Sequence, residues 1–123
     1  MEKRPPKPLE WVGSSLDDLS AFPAPVKRTI GFALRAAQNG EKSPDAAPLK
    51  GFGGANVLEI IEDYDGNKYR AVYTVRFEGV IYVLHAFQKK SKHGIKTPQH
   101  EIELIRRRLE TARLMHEQRG EQQ

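Results

Sequence analysis

The fold is decided by the stretch Tyr69-Arg-Ala-Val-Tyr-Thr-Val-Arg-Phe-Glu-Gly-Val-Ile-Tyr-Val-Leu-His-Ala-Phe87. Its first half alternates between two sets of side chains, as a strand does, and its second half is an almost continuous apolar run. Such a run is typical of a strand that is buried on both faces and lies inside a sheet. Glu78-Gly79 leaves room only for a tight turn, so the two strands are antiparallel. Asp65-Gly66, a hairpin signal, joins them to a third strand at Val57–Ile61.

The remaining elements complete a small α+β domain. Leu9–Val12 predicts a short edge strand, and a short helix follows from Ser15 to Phe22. A second helix ends at Asn39-Gly40, and a third begins after Pro98. We expect one domain with a mostly antiparallel sheet, made of the short N-terminal strand and the three-stranded meander. Two N-terminal helices and a C-terminal helix are expected to pack against one face of it.

Domain boundaries follow from composition. Residues 1–8 contain three prolines and almost nothing to bury, which predicts a flexible tail. The folded domain is expected to span residues 9–116. Residues 117–123 are expected to form a frayed C-terminus.

The net charge of +4 is unevenly distributed. Residues 1–87 hold 11 basic and 11 acidic side chains and are therefore neutral overall. The excess lies in residues 88–123, which hold 9 basic and 5 acidic side chains. A basic excess at one end indicates an anionic partner such as RNA, DNA or the ribosome surface. The alternative is a solvated helix with no partner.

Composition also excludes several classes of protein. The chain has no cysteine, so neither a disulfide framework nor a cysteine zinc site is available. The four histidines lack the spacing of metal ligands, and we expect no cofactor. No apolar run is long enough to cross a bilayer, and the N-terminus lacks a secretory signal. We therefore expect a cytoplasmic protein with no membrane partner.

A lysine cluster follows the last predicted strand. Four lysines fall within eight residues, and a helix N-terminus comes next; they are Lys89, Lys90, Lys92 and Lys96. The antiparallel meander brings Arg70, near the start of its strand, close to Phe87–Lys90. We expect a phosphate to bind at this rim, while a lysine run that only aids solubility is the alternative. His85 lies inside the apolar run and is by default a hydrogen-bonded core histidine.

Three segments resemble the phage-related Gp49-like (HigB-like) toxins of the RelE/ParE superfamily. They are Tyr69-Arg70-Ala-Val-Tyr73, Val83-Leu-His-Ala-Phe-Gln-Lys-Lys-Ser91 and Lys96-Thr-Pro98, and the likeness runs from about Leu9 to Ala112. The resemblance implies a RelE-like fold and the toxin of a type II toxin–antitoxin system. Such toxins are commonly endoribonucleases (mRNA interferases) that bind and cut mRNA on the ribosome and so inhibit translation. The antitoxin of this group usually carries a helix-turn-helix domain, and the toxin reaches operator DNA only through it.

The resemblance also implies roles for individual residues. Arg70 and Lys90 would stabilise the phosphate or donate protons. Clustered lysines depress one another's pKa values, which makes Lys89 or Lys90 a candidate proton shuttle, and His85 or His93 is the alternative acid or base. Arg70→Ala and Lys90→Ala are expected to abolish cleavage and leave the fold intact. The predicted catalytic residues are thus Arg70, Lys90, Lys89 and His85, and the predicted RNA or phosphate contacts are Lys50, Lys92, His93 and Lys96, with no metal.

The sequence departs from the ribosome-dependent members of this group in two ways, so other functions stay open. Ribosome-dependent members carry lysines on the strand before the Arg70 strand, where this chain has Leu58-Glu-Ile-Ile-Glu62, and the predicted C-terminal helix contains no aromatic residue. The identity of the general base is therefore open. The alternatives are a non-enzymatic toxin that inhibits a protein such as gyrase, and a phage-derived nucleic-acid-binding module.

Overall fold

A computed structural model describes residues 5–89 and 97–121 of the chain. The element bounds are β1 (Leu9–Trp11), α1 (Ser15–Ser20), α2 (Ala24–Gln38), β2 (Ala46–Pro48), β3 (Val57–Tyr64), β4 (Asn67–Thr74), β5 (Ile81–Lys89) and α3 (Gln99–Glu121). This is the predicted α+β class, with the predicted order of helices and meander strands. No helix within the described ranges combines the length and apolarity that crossing a membrane requires.

The five strands form one sheet in the order β1-β5-β4-β3-β2. The β3–β4 and β4–β5 pairs are antiparallel, so the predicted meander is confirmed. The tight turn predicted at Glu78-Gly79 is wrong, because β4 ends at Thr74 and residues 75–80 connect it to β5. The turn between β3 and β4 consists of Asp65 and Gly66, both with positive φ, as a tight two-residue hairpin requires. The short strand β1 lies at the edge of the sheet and pairs in parallel with β5.

Strand β2 was not predicted from the sequence. Ala46–Pro48 is short and contains a proline, and it pairs antiparallel with Leu58–Ile60 at the outer edge of the sheet. A proline is tolerated there because an edge strand needs only one of its two rows of hydrogen bonds.

The expectation that all helices pack on one face is wrong. Helix α2 packs through Val26 and Ile30 on the face that holds Ile60 and Tyr73. Helix α3 packs through Ile105 on the opposite face. The physical reason lies in β4 and β5, whose side chains are buried on both sides, so both faces of the sheet need a cover.

Helix α3 extends further than the predicted domain. It continues to Glu121, past the expected boundary at residue 116. Arg119 explains this, since its Nη1 lies 3.1 Å from the Glu10 carboxylate on β1 and ties the last turn to the sheet. The C-terminal part of α3 therefore belongs to the folded domain.

Candidate functional site

The candidate site lies on the α3 face of the sheet, where β5 ends. The register places Arg70 of β4 opposite Phe87 of β5 and Ile61 of β3. One pair further along, Lys68 faces Lys89. Because side chains alternate along a strand, Arg70 shares its face with Val72, which packs in the core under α3. The predicted closeness of Arg70 to the end of β5 is confirmed.

Glu59 and Thr97 hold the guanidinium of Arg70 by hydrogen bonds. Its side chain is 1% exposed, and its Nη1 lies 3.0 Å from Oε2 of Glu59, whose side chain is 11% exposed. The same Nη1 donates to the Thr97 hydroxyl at 3.1 Å, and that hydroxyl donates to Glu59 at 3.0 Å. The three side chains close a triangle that links β3, β4 and the residue before Pro98. A guanidinium this buried needs such a carboxylate, because an uncompensated charge at this depth is costly.

Lys89 ends β5 beside this triangle and is itself buried. Burial lowers the pKa of Lys89, and the positive charges of Arg70 and Lys68 lower it further, while Glu59 acts in the opposite direction. A lysine with a lowered pKa has a larger neutral fraction near pH 7, which is what proton transfer needs. Burial is the largest cause, and neither Arg70 nor Lys68 belongs to the predicted lysine cluster, so the expected mutual effect of the clustered lysines stays a prediction.

His85 sits at a β-bulge and is engaged through both ring nitrogens. Val72 pairs with His85 and Tyr73 with Val83, so Leu84 is the extra residue. Arg108 Nη1 lies 3.2 Å from Nδ1 of His85, and the Glu101 carboxylate lies 2.9 Å from Nε2. Since arginine only donates, Nδ1 accepts and Nε2–H donates to Glu101.

The surroundings keep His85 neutral. Burial lowers the pKa of His85, and the hydrogen bond and charge of Glu101 oppose that effect. The ring stacks on Phe87 with centroids 4.8 Å apart. Proton transfer by His85 would require release of either the Arg108 or the Glu101 contact. Its default role as a hydrogen-bonded buried histidine matches the geometry, and its predicted catalytic role stays a prediction.

Arg108 connects α3 to the opposite end of the chain. In addition to His85, its guanidinium donates to the Leu84 carbonyl at 3.0 Å and to the Ser14 hydroxyl at 3.0 Å. Gly13 has φ +58°, and a Cβ added to it would lie 2.8 Å from Nε of Arg108. Glycine at this position therefore gives the arginine room to reach the bulge.

The other predicted site residues fall in two groups. Lys50 lies in the loop between β2 and β3, next to Leu49, whose amide bonds to the Val57 carbonyl at the start of β3. Arg70 pairs with Ile61 instead, so Lys50 lies toward the opposite end of the sheet and is not brought to the Arg70 cluster. The remaining four are outside the described residues, and their roles stay predictions: Lys90, Lys92, His93 and Lys96.

Sequence reasoning missed the partners of Arg70 and His85. The sequence pattern did not single out these partners as site residues; they are Glu59, Thr97, Glu101 and Arg108. A usable signal existed for Glu59, since it is the single carboxylate within the apolar run Val57–Ile61. A charge buried in such a strand needs a partner on the next strand. Across residues 5–89 and 97–121, no group of three histidine or carboxylate side chains could hold a metal ion.

Comparison with known proteins identifies the family. The family described as phage derived protein Gp49-like matches residues 17–110. This chain belongs to the Gp49-like family. Residues 17–110 include most of α1, the meander and the half of α3 that carries Glu101 and Arg108, so the match spans Arg70, His85 and their described side-chain partners on β3, β4, β5 and α3. The predicted resemblance to the Gp49-like family is confirmed.

Two further comparisons complete the findings. A chain in the crystal structure of the toxin–antitoxin complex RelBE2 from Mycobacterium tuberculosis is similar at a TM-score of 0.47 and 15% sequence identity. The alignment covers 68% of this chain and 99% of that one. No curated protein matches the sequence significantly.

Proposed function

We propose that this member of the Gp49-like family is the toxin of a type II toxin–antitoxin system and acts as an endoribonuclease on mRNA at the ribosome. The observation that carries the proposal is the cluster of Arg70 and Lys89 on adjacent strands, with Glu59 and Thr97 holding Arg70. Family membership supports the same reading. The activity would lie in the cytoplasm, where the partners would be mRNA, the ribosome and a cognate antitoxin, through which alone the protein would reach operator DNA.

The chemistry proposed is transfer of the phosphate to the ribose 2′-oxygen, which needs no metal ion. The 2′-hydroxyl loses its proton to a base, its oxygen attacks the phosphorus, and the bond to the 5′-oxygen breaks. The 5′-oxygen takes up a proton, so the products are a 2′,3′-cyclic phosphate and a 5′-hydroxyl end. The protein must supply proton transfer and cations for the extra negative charge of the transition state.

Arg70 and Lys89 fit these two tasks differently. Arg70 is permanently charged and is assigned to the phosphate oxygens. Lys89, with its lowered pKa, is assigned to proton transfer, with Lys90 as the neighbouring candidate. Because Nη1 of Arg70 lies 3.0 Å from Oε2 of Glu59 and the Arg70 side chain is 1% exposed, we infer that the scissile phosphate must displace this carboxylate to reach the guanidinium.

The experiment compares three variants in growing cells and in purified reactions. Lys89→Met removes the proton-transfer group, and Arg70→Lys keeps a cation for Glu59 but loses the planar set of donors. Lys42→Met is the matched control, because Lys42 is exposed in the loop between α2 and β2 and is not among the predicted site residues. We expect new RNA 5′-hydroxyl ends after induction of the wild type and of Lys42→Met, and about a hundredfold fewer with the other two.

Four outcomes would each contradict a part of this proposal. Growth arrest without new RNA ends would favour a toxin that inhibits a protein such as gyrase. Normal growth with RNA binding in vitro would favour a nucleic-acid-binding module. Full cleavage by both Arg70→Lys and Lys89→Met would move the active site elsewhere. Cleavage of naked RNA at the same rate as in a translating extract would remove the ribosome from the proposal.

A further inference from the structure

Helix α2 carries an aromatic side chain that faces away from the sheet. Phe32 is 77% exposed, whereas the next most exposed large apolar side chain among the described residues, Leu114, is 47% exposed. The residues of α2 that pack on the sheet, such as Val26 and Ile30, are fully buried. With 3.6 residues per turn, Phe32 lies on the opposite side of the helix from them. Its ring is therefore not part of the contact between α2 and the sheet.

Two arginines flank Phe32 on the same stripe of the helix. Arg28 precedes it by four residues and Arg35 follows it by three, and both are exposed. The sequence of α2 contains no aspartate or glutamate, so no carboxylate of the helix itself offsets these charges. Together with Gly31, these residues form a surface, the Phe32 face, that is cationic around an apolar centre.

Gly31 gives the Phe32 face a notch. It is exposed in the interior of a 15-residue helix, where glycine is less favourable than alanine. A Cβ added at Gly31 would meet nothing within 4 Å outside its neighbouring residues and the backbone of its own helix, so the packing of this chain does not require glycine there. Beside the ring of Phe32, the missing side chain leaves space into which the backbone of another helix could approach closely.

We propose that the Phe32 face binds an acidic amphipathic helix of the antitoxin. An apolar side chain of that helix would cover the ring of Phe32, and two of its carboxylates would pair with Arg28 and Arg35. The identity of the partner rests on the proposed function, whereas the chemistry of the occupant rests on the Phe32 face alone.

The spacing of the charges favours a helix as the occupant. Arg28 and Arg35 are seven residues apart, which corresponds to about 10.5 Å along the helix axis. Two carboxylates seven residues apart on a partner helix have the same spacing and lie on one stripe, and an apolar residue between them then meets Phe32. A second copy of this chain fits less well, because packing α2 on itself would bring arginines against arginines.

The position of the Phe32 face separates it from the proposed RNA site. Helix α2 packs on the sheet face that holds Ile60 and Tyr73, whereas Arg70 shares its face with Val72 under α3. The sheet therefore stands between the Phe32 face and the Arg70 cluster. An mRNA strand bound at Arg70 would have to pass around the sheet to reach Phe32, whereas a protein partner needs no contact with Arg70. The position thus favours a protein as the occupant.

Three substitutions test the Phe32 face, and none of them removes a buried side chain. Phe32→Ala removes the ring, and Leu114→Ala is its matched control, because it removes an apolar side chain that is exposed on α3. Arg35→Glu reverses a charge, with Arg107→Glu at an exposed position of α3 as its control. Gly31→Leu fills the notch.

The probe is a capped, helix-forming peptide of about 18 residues, long enough to be helical in water. It carries two glutamates seven residues apart, with leucines on the stripe between them. A counterpart with lysine in place of glutamate and a uridine hexanucleotide serve as comparisons. Binding is followed through the backbone amide NMR signals of residues 28–35. The antitoxin itself is tested in cells, by coexpression with each variant and measurement of growth.

We expect the acidic peptide to shift these amide signals with a Kd of about 1 mM or tighter, and the lysine peptide to bind more weakly by about tenfold or more. The affinity should fall by about tenfold or more in Phe32→Ala, Arg35→Glu and Gly31→Leu, and by less than about twofold in both controls. Gly31→Leu should also raise the urea midpoint of the free protein by roughly 0.5 M, because glycine leaves the helix interior. In cells, the antitoxin that restores growth with Leu114→Ala should fail with the double variant Phe32→Ala, Arg35→Glu.

Several results would each overturn the proposal. No shift with the acidic peptide, or equal affinity in Phe32→Ala and the wild type, would show that the Phe32 face does not recognise an acidic helix. Stronger shifts with the hexanucleotide would assign the face to RNA. Shifts of the same signals on dilution of the protein alone would assign it to a second copy of the chain.

Failure of the proposed function would look different from failure of this inference. If the chain is not a toxin, induction of the wild type causes no growth arrest, and the partner is then not an antitoxin, whatever the peptide titration shows. If the chain is a toxin but the antitoxin does not use the Phe32 face, growth arrest occurs and the antitoxin rescues the double variant as well as Leu114→Ala.

Discussion

Removal of the Arg70 side chain is expected to destabilise the protein strongly, contrary to the sequence-based expectation that Arg70→Ala leaves the fold intact. The guanidinium is 1% exposed and contacts a carboxylate that is 11% exposed. Breaking a buried ion pair by removing one partner typically costs about 3–5 kcal/mol, because the other charge stays buried without compensation. That is a large share of the roughly 5–15 kcal/mol that stabilises a typical domain.

A double-mutant cycle separates this cost from other effects. Arg70→Met keeps much of the side-chain volume and leaves Glu59 without its cation. Glu59→Gln in the same background removes the stranded charge and keeps an acceptor for the Thr97 hydroxyl, which bonds to Glu59 in the wild type. We expect the double variant to be more stable than Arg70→Met by about 2 kcal/mol or more.

Urea unfolding followed by circular dichroism measures these differences. With a slope of about 1.5–2 kcal/mol per molar urea, Arg70→Met should lower the midpoint by roughly 2 M. A midpoint within 0.5 M of wild type would refute the argument, as would a double variant less stable than Arg70→Met. In either case the charge of Glu59 would not depend on Arg70. Loss of cleavage in Arg70→Ala is informative only after this measurement, and Arg70→Lys is the better activity variant.

Three further outcomes are expected. Lys89→Met should reduce the cleavage rate by about a hundredfold or more, the usual contribution of a proton-transfer group, with no drop in the melting temperature; retained cleavage would remove Lys89 from the site. Burial lowers the pKa of His85 below about 6.5, so below that pH the unfolded chain gains a proton that the folded protein does not. The free energy of unfolding should therefore fall as the pH drops from about 6.5 toward the lowered pKa. The urea midpoints at pH 7.5 and pH 5.5 should differ less in His85→Gln than in the wild type. An equal difference in both proteins would assign the acid sensitivity to other groups. Gly13→Ala should cost about 1–3 kcal/mol in urea unfolding, because φ is +58° and the new Cβ meets Arg108; a change below about 0.5 kcal/mol would show that the arginine moves aside freely.

The meander was predictable because its signals are local. Alternation, an apolar run and two turn signals specify three neighbouring strands without knowledge of the rest of the chain. The placement of α3 was not predictable in the same way. Which face a helix covers depends on how β4 and β5 divide their side chains between two cores, and that division is set by tertiary packing.

The closeness of Arg70 to the end of β5 was predictable, but the partners of Arg70 and His85 were not. That closeness followed from strand pairing, since an antiparallel pair brings the start of one strand to the end of the next. Glu59 lies on β3, on the other side of β4, and Thr97 and Glu101 follow the lysine cluster in the sequence. Their contacts with Arg70 and His85 depend on how α3 returns over the sheet, and sequence spacing alone does not specify that return.

The parallel pairing of β1 with β5 sets the order in which the protein can mature during synthesis. β1 leaves the ribosome early, but its partner strand is made much later; the Ser15 hydroxyl, for example, bonds to the Val83 carbonyl 68 positions further on. Contacts this distant form late, because a long loop must close first. The hydrogen bond from Arg70 to the Thr97 hydroxyl can form only later still, after Thr97 has been made. A nascent chain is thus without its assembled Arg70 cluster until Thr97 has been made, and a product that stops before Thr97 lacks one of the two side chains that hold the Arg70 guanidinium.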